Sequence, residues 1–189
     1  MHTLQFNVRN PRRNLPSNVA SKRGESNFVS AFSRVYSQKE KSTGIIAKQF
    51  AVAGFGIADL VTATWPSGTN IQDNLVITAF EMKLEDWRQA LMQAYRYSYF
   101  ADRVMVVLPP EASKIAEQNR EAFENLRIGL WEFDPKENQI REIFTPRISC
   151  HKNISAREKA SGLIFRKLNF SPIAKQFNGF LNGRQMFPV

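Results

Sequence analysis

Two carboxylates and a lysine stand in this chain where they can act on a phosphate ester. The first carboxylate lies in Gly56-Ile57-Ala58-Asp59-Leu60-Val61, and the second closes the run Leu75-Val76-Ile77-Thr78-Ala79-Phe80-Glu81-Met82-Lys83. Both runs are apolar and β-branched, which predicts strands. Side chains alternate along a strand, so Glu81 and Lys83 are expected on one face and Met82 on the other. Paired carboxylates bind a hard cation, and a neighbouring ammonium adds fixed positive charge; metal-assisted phosphodiester hydrolysis uses this set. The chain supplies its own control in Asp134-Pro135-Lys136, where proline breaks a ladder bond and marks a surface turn. The plainer alternative for Glu81 and Lys83 is a charged pair at a strand end, pointing into water.

The elements that must hold these groups read as one α/β unit. Residues 9–24 contain Pro11 and Pro16 and predict a loop or arm. Ser26 is placed to cap a helix carrying Phe28, Phe32 and Val35 or Tyr36 on one side. Strands over 45–53 and 57–64 flank Gly54-Phe55-Gly56, a hairpin turn, and a turn cluster over 65–70 precedes the strand at 75–83. A helix follows over 85–100, with Trp87, Ala90, Leu91 and Ala94 at helical spacing and Trp87 expected in the core. Gln89, Gln93 and Tyr97, four residues apart, line one edge of it. A strand at 104–108, a helix at 111–126 and strands at 128–133 and 140–145 complete the unit. The order is helix, three-strand meander, helix, strand, helix.

Together these residues resemble the PD-(D/E)XK nuclease superfamily, and within it the RecB-like set marked by G-x-x-D, E-x-K and Q-x-x-x-Y. The motifs stand here as Gly56-Ile57-Ala58-Asp59, Glu81-Met82-Lys83 and Gln93-Ala94-Tyr95-Arg96-Tyr97, in the family's order. The resemblance covers roughly residues 25–134. It implies a restriction-endonuclease-like core, a central mixed β-sheet flanked by helices. It also implies that Asp59, Glu81 and the backbone carbonyl of Met82 hold Mg2+ or Mn2+. Lys83 would then orient the attacking water or steady the phosphorane, with Gln93 and Tyr97 holding the site or the strand being cut. Relatives often add an acid from the first helix; Glu25 and Glu40 both qualify, and Glu25, at the expected helix start, is preferred. Ala58 replaces the proline of the family's name, and the gap from Lys83 to Gln93 is short. The four cysteines that hold an iron–sulfur cluster in some relatives are absent from a chain with one.

Composition narrows the partners. A chain of 189 residues with fifteen Phe fits one domain with a real core. Its net charge of +9 is uneven: residues 1–24 carry +5, 25–146 carry −3 and 147–189 carry +7. We therefore divide it into a basic N-terminal arm (1–24), a nuclease-like core (25–146) and a basic C-terminal helix and tail (147–189) that packs on the core. Basic ends around an acidic middle suit a polyanion such as DNA, with RNA also open, better than a membrane. Arg12, Arg13, Lys22, Arg23, Arg166 and Lys167 are the cations expected to meet it. The C-terminal helix over 156–168 is expected to pack through Leu163, Ile164 and Leu168, although its interleaved bases and aromatics would also suit nucleic acid. The single Cys150, the lack of an apolar leader and the lack of an 18-residue apolar run lead us to expect a soluble, cytoplasmic protein. His2, Cys150 and His151 do not make a zinc site. Three functions stay open: a metal-dependent DNA nuclease of restriction, phage defence or mobile-element processing; a nucleic-acid-binding protein that keeps the fold without the activity; or an assembly protein whose basic ends bind a partner. Double-strand cutting would call for a homodimer or a partner protein.

Overall fold

Apolar residues at alternating positions assemble a six-stranded mixed sheet. The computed structural model describes residues 19–40 and 43–168. In chain order the elements are α1 (Val19–Lys39), β1 (Thr43–Val52), β2 (Gly56–Trp65), α2 (Ile71–Asn74), β3 (Val76–Met82), α3 (Trp87–Tyr97), β4 (Arg103–Leu108), α4 (Pro110–Glu117), α5 (Arg120–Leu126), β5 (Gly129–Asp134), β6 (Gln139–Phe144) and α6 (Ile154–Leu168). The strands lie side by side in sequence order. β1, β2 and β3 form an antiparallel meander, β3, β4 and β5 run parallel, and β6 returns antiparallel to β5. Parallel neighbours need crossovers, which α3 and the α4–α5 pair provide.

The two faces of the sheet bury separate cores. On one, Phe28, Phe32 and Val35 of α1 meet Phe80, Met82, Met105, Val107, Trp131 and Phe133. Phe32 is fully buried, with its ring 5.5 Å from those of both Phe80 and Phe133. Burying a side chain of that size contributes about 1.5–3 kcal/mol. On the other face, Ile77, Ala79, Val104 and Val106 meet Trp87, Leu91 and Ala94 of α3, Phe123 of α5, and Ala156, Ala160 and Ile164 of α6. The C-terminal helix thus packs on the core as expected, with Leu163 partly buried beside it. The expected α/β class, hairpin, meander and turn at Asp134 all appear, and Trp87 is buried.

Three expectations need correction. The first helix begins at Val19, so residues 19–24 belong to it and not to an arm, and Ser26 lies inside it rather than capping it. Pro11 and Pro16 lie before this start, and Gly24 is the one weak helix former between residue 19 and the apolar stripe, which the helix accommodates. Glu25 consequently sits in the second turn, not at the helix start. The helix expected over 111–126 is two, because Asn119 interrupts it: its backbone N–H donates to Ala116 O and its side-chain amide to Ile115 O. Asparagine competes with helix for its own backbone in this way. The turn cluster after Trp65 also contains the single-turn α2, which its polar residues conceal. Among the described residues, no helix is long and apolar enough to cross a membrane.

Candidate active site

β2 and β3 bring the two predicted carboxylates face to face. Leu60 pairs with Phe80, so the next pair in that antiparallel register is Asp59 with Glu81. Asp59 is held from two sides: its Oδ2 accepts the Met82 backbone N–H at 2.9 Å and its Oδ1 accepts Gln49 Nε2 at 3.1 Å. Glu81 is 4% exposed and faces α3, where Tyr97 reaches it. Met82 turns its side chain into the α1 core.

Lys83 lies one residue beyond the strand, so the alternation argument stops short of it. Its Nζ is 3.2 Å from Glu25 Oε1 of α1. Gly24, beside Glu25, faces the same turn after β3: a Cβ there would sit 3.1 Å from Leu84 Cδ1. Lys83 still lowers the pKa of both carboxylates, and Glu25 raises both, so the four charges share one site.

Burial pushes Glu81 up to about 8, with the Asp59 charge adding to the rise. Burial also raises Asp59, against the lowering by Met82 N–H, Lys83 and Gln49. The Tyr97 hydroxyl opposes this rise when it donates to Glu81, because that bond favours the charged carboxylate, but burial and the Asp59 charge outweigh it. The Tyr97 hydroxyl is 2.7 Å from the Ile57 carbonyl and 2.6 Å from Glu81 Oε2, yet it has one proton. When Tyr97 donates to Ile57, Glu81 must donate to Tyr97. The pair by itself thus keeps Glu81 a neutral acid near pH 7.

This arrangement has a measurable consequence. Between the ordinary glutamate pKa and about 8, the folded protein holds a proton that the unfolded chain has released. The contribution is full below pH 4.5 and is lost as pH rises through 8. It amounts to a few kcal/mol. Thermal melts in EDTA should therefore fall from pH 5 to pH 8.5, and Glu81→Gln should flatten the decline. A wild-type profile as flat as the variant's would show that Glu81 titrates normally.

Gln49 was not anticipated. It lies opposite Asp59, between the pairs Lys48–Leu60 and Phe50–Ala58, and its backbone takes a left-handed φ of 50° inside β1. Such a residue costs about 1–3 kcal/mol and persists where surrounding structure compels it. The turn at Gly54 contained the signal, because a hairpin centred there places residue 49 across from residue 59. Gln49→Gly should melt no lower than wild type, since glycine accepts that φ, while any activity depending on Asp59 falls at least tenfold. A lower melting temperature with unchanged activity would reverse this assignment.

The other predicted residues are dispersed. Gln93 Oε1 is buried without a hydrogen-bond partner, one turn before Tyr97 on the same edge of α3. Gln89 is exposed, and Tyr97 is 3% exposed with its hydroxyl engaged. Lys22 and Arg23 belong to α1, and Arg23 is exposed. Arg166 is exposed on the last turn of α6, beside half-buried Lys167. Arg12, Arg13 and the tail beyond 168 lie outside the described residues. The control Asp134 accepts the Lys136 and Glu137 backbone N–H groups in a local turn, far simpler than the setting of Glu81.

The donor set suits a hard divalent cation. Two buried carboxylates that oppose each other's ionisation are stabilised together by a cation between them. Mg2+ needs only one or two carboxylates when phosphate oxygens and water complete its shell. Among the described residues no three His, Cys, Asp or Glu side chains converge on one point. Asp59 and Glu81 are thus the acids available, with Glu25 turned to Lys83. No protein-family model matches this chain, and no curated protein matches it either.

Proposed function

We propose that this protein is a metal-dependent nuclease that hydrolyses phosphodiester bonds of DNA, with the restriction-endonuclease-like core implied by its three motifs. The observation that carries this reading is the pairing of buried Glu81 with half-buried Asp59 on adjacent strands. Folding gains nothing from desolvating two carboxylates against each other, so the pair is best explained by what it binds. Asp59, Glu81 and the Met82 carbonyl would hold Mg2+ or Mn2+, which supplies Lewis acidity toward water and phosphate oxygens when bound.

The chain's own residues do the remaining work. Gln49 and Met82 N–H fix the Asp59 carboxylate while leaving lone pairs on both oxygens. Tyr97 anchors Glu81 by donating its hydroxyl hydrogen bond to Oε2. Lys83, steadied by Glu25, offers positive charge to the phosphate as negative charge builds on it. The buried amide of Gln93 is placed to support the same edge.

The direct test is cleavage of circular single-stranded and supercoiled DNA with Mg2+, Mn2+ or EDTA. Nicking that requires the metal and stops with EDTA supports the reading. Binding without cleavage under every metal condition would replace it with the second function, a nucleic-acid-binding protein on the same fold.

A further inference from the structure

Three half-buried rings run in contact from the β1–β2 hairpin along α3. Phe55, at the hairpin turn, lies 5.6 Å from Tyr99, and Tyr99 lies 6.3 Å from Tyr95. Lys152 Nζ then sits 4.0 Å over the Tyr95 ring. Each ring packs one side on the core and keeps part of itself in water. Beyond Tyr95 opens a cleft of about 490 Å3, also lined by Ser98, Arg127 and Lys152. The other end of the row adjoins the carboxylates: Ile57, two residues after Phe55, gives its carbonyl to the Tyr97 hydroxyl that holds Glu81.

We infer that this row binds single-stranded nucleic acid and guides it to the carboxylate pair. The inference rests on the nuclease reading for its consequence, since it names the substrate class of that site. The solvent-exposed parts of Phe55 and Tyr99 offer stacking to unpaired bases, and Lys152, seated over the Tyr95 ring, is placed to meet the phosphates beside them. Lys152, Arg127 and the exposed Arg96 provide that charge along the row. A duplex has its bases already stacked inside, so it gains only the charge. An acidic protein would likewise use the cations and leave the rings idle. The rings decide for a single strand.

The test is binding by the full chain in EDTA, where nothing is cut, using fluorescence anisotropy. The probes are a 20-nucleotide oligothymidylate, an abasic oligomer of equal length and a duplex. Wild type should bind the oligothymidylate at least tenfold more tightly than the abasic strand. Phe55→Ala and Phe55→Leu should each remove most of that difference while leaving abasic binding unchanged. Lys152→Gln should weaken both strands and reduce the salt dependence by about one phosphate contact. Because leucine preserves packing, full binding by a folded Phe55→Leu variant would overturn the inference. So would equal affinity of wild type for the abasic and thymidylate strands. Ring-dependent binding by a protein that never cleaves would uphold the row and remove the nuclease reading. Cleavage with no ring dependence would remove the row alone.

Discussion

Lys83→Ala should reduce the rate of metal-dependent DNA cleavage by about a hundred- to a thousand-fold, with the fold retained. That range is what one preorganised charge at a developing oxyanion is worth. The Lys83 side chain is 19% exposed, and its partner Glu25 is 30% exposed. A pair so open to solvent contributes at most about 1 kcal/mol to stability, so its loss leaves the melting temperature nearly unchanged. The variant's metal affinity should also change, because the carboxylates become harder to ionise while the ammonium's repulsion of a divalent cation is lost. Lys83 lowers the pKa of both Asp59 and Glu81, so its removal makes each harder to ionise. Single-turnover cleavage at saturating Mn2+ separates the two effects, because saturation removes the change in binding and leaves the rate deficit. A folded Lys83→Ala protein cutting within threefold of wild type would remove Lys83 from the site and the nuclease reading with it.

What the sequence disclosed about this site followed the reach of each rule. Asp59 and Glu81 were legible because each interrupts an apolar run, and an acid in a buried strand stands out against its neighbours. Lys83 was legible in type but not in direction, since alternation holds only as far as the strand, which ends at Met82. Glu25 was expected at a helix start, but its helix begins six residues earlier and its carboxylate meets Lys83. Gln49 was hidden because nothing in Lys48-Gln49-Phe50 announces a left-handed φ, which here accompanies the cross-strand hydrogen bond to Asp59. The strand–helix–strand order after β3 was legible, and the structure closes it into parallel pairs. The break at Asn119 did not, because one asparagine in a helical window is weak evidence against the propensity of the rest.

Asp102→Ala should cost about 3–5 kcal/mol of folding stability, as much as truncating a buried core ring. Asp102 precedes β4, and its Oδ2 accepts the Ile77 backbone N–H at 2.7 Å and Arg157 Nη2 at 2.9 Å. Arg157, on α6, also donates to the carbonyls of Leu75 at 2.6 Å and Phe100 at 3.3 Å. One side chain thus ties β3, the start of β4 and the C-terminal helix together. Asp102 and Arg157 are only 11% and 13% exposed, so alanine strands a guanidinium and the Ile77 N–H with little water to replace the carboxylate. For a chain of this size the melting temperature should drop by roughly 10 °C. Combining Asp102→Asn with Arg157→Met should recover more than half of the loss, because asparagine keeps an acceptor for Ile77 and methionine leaves no charge behind. Urea unfolding of the two proteins measures this directly, and equal losses would show that the charge pair is incidental. Ile77 lies four residues from Glu81, about 13 Å along the strand, so cleavage at low temperature should survive in both. The Asp102 network and the proposed carboxylate site thus lie at opposite ends of β3.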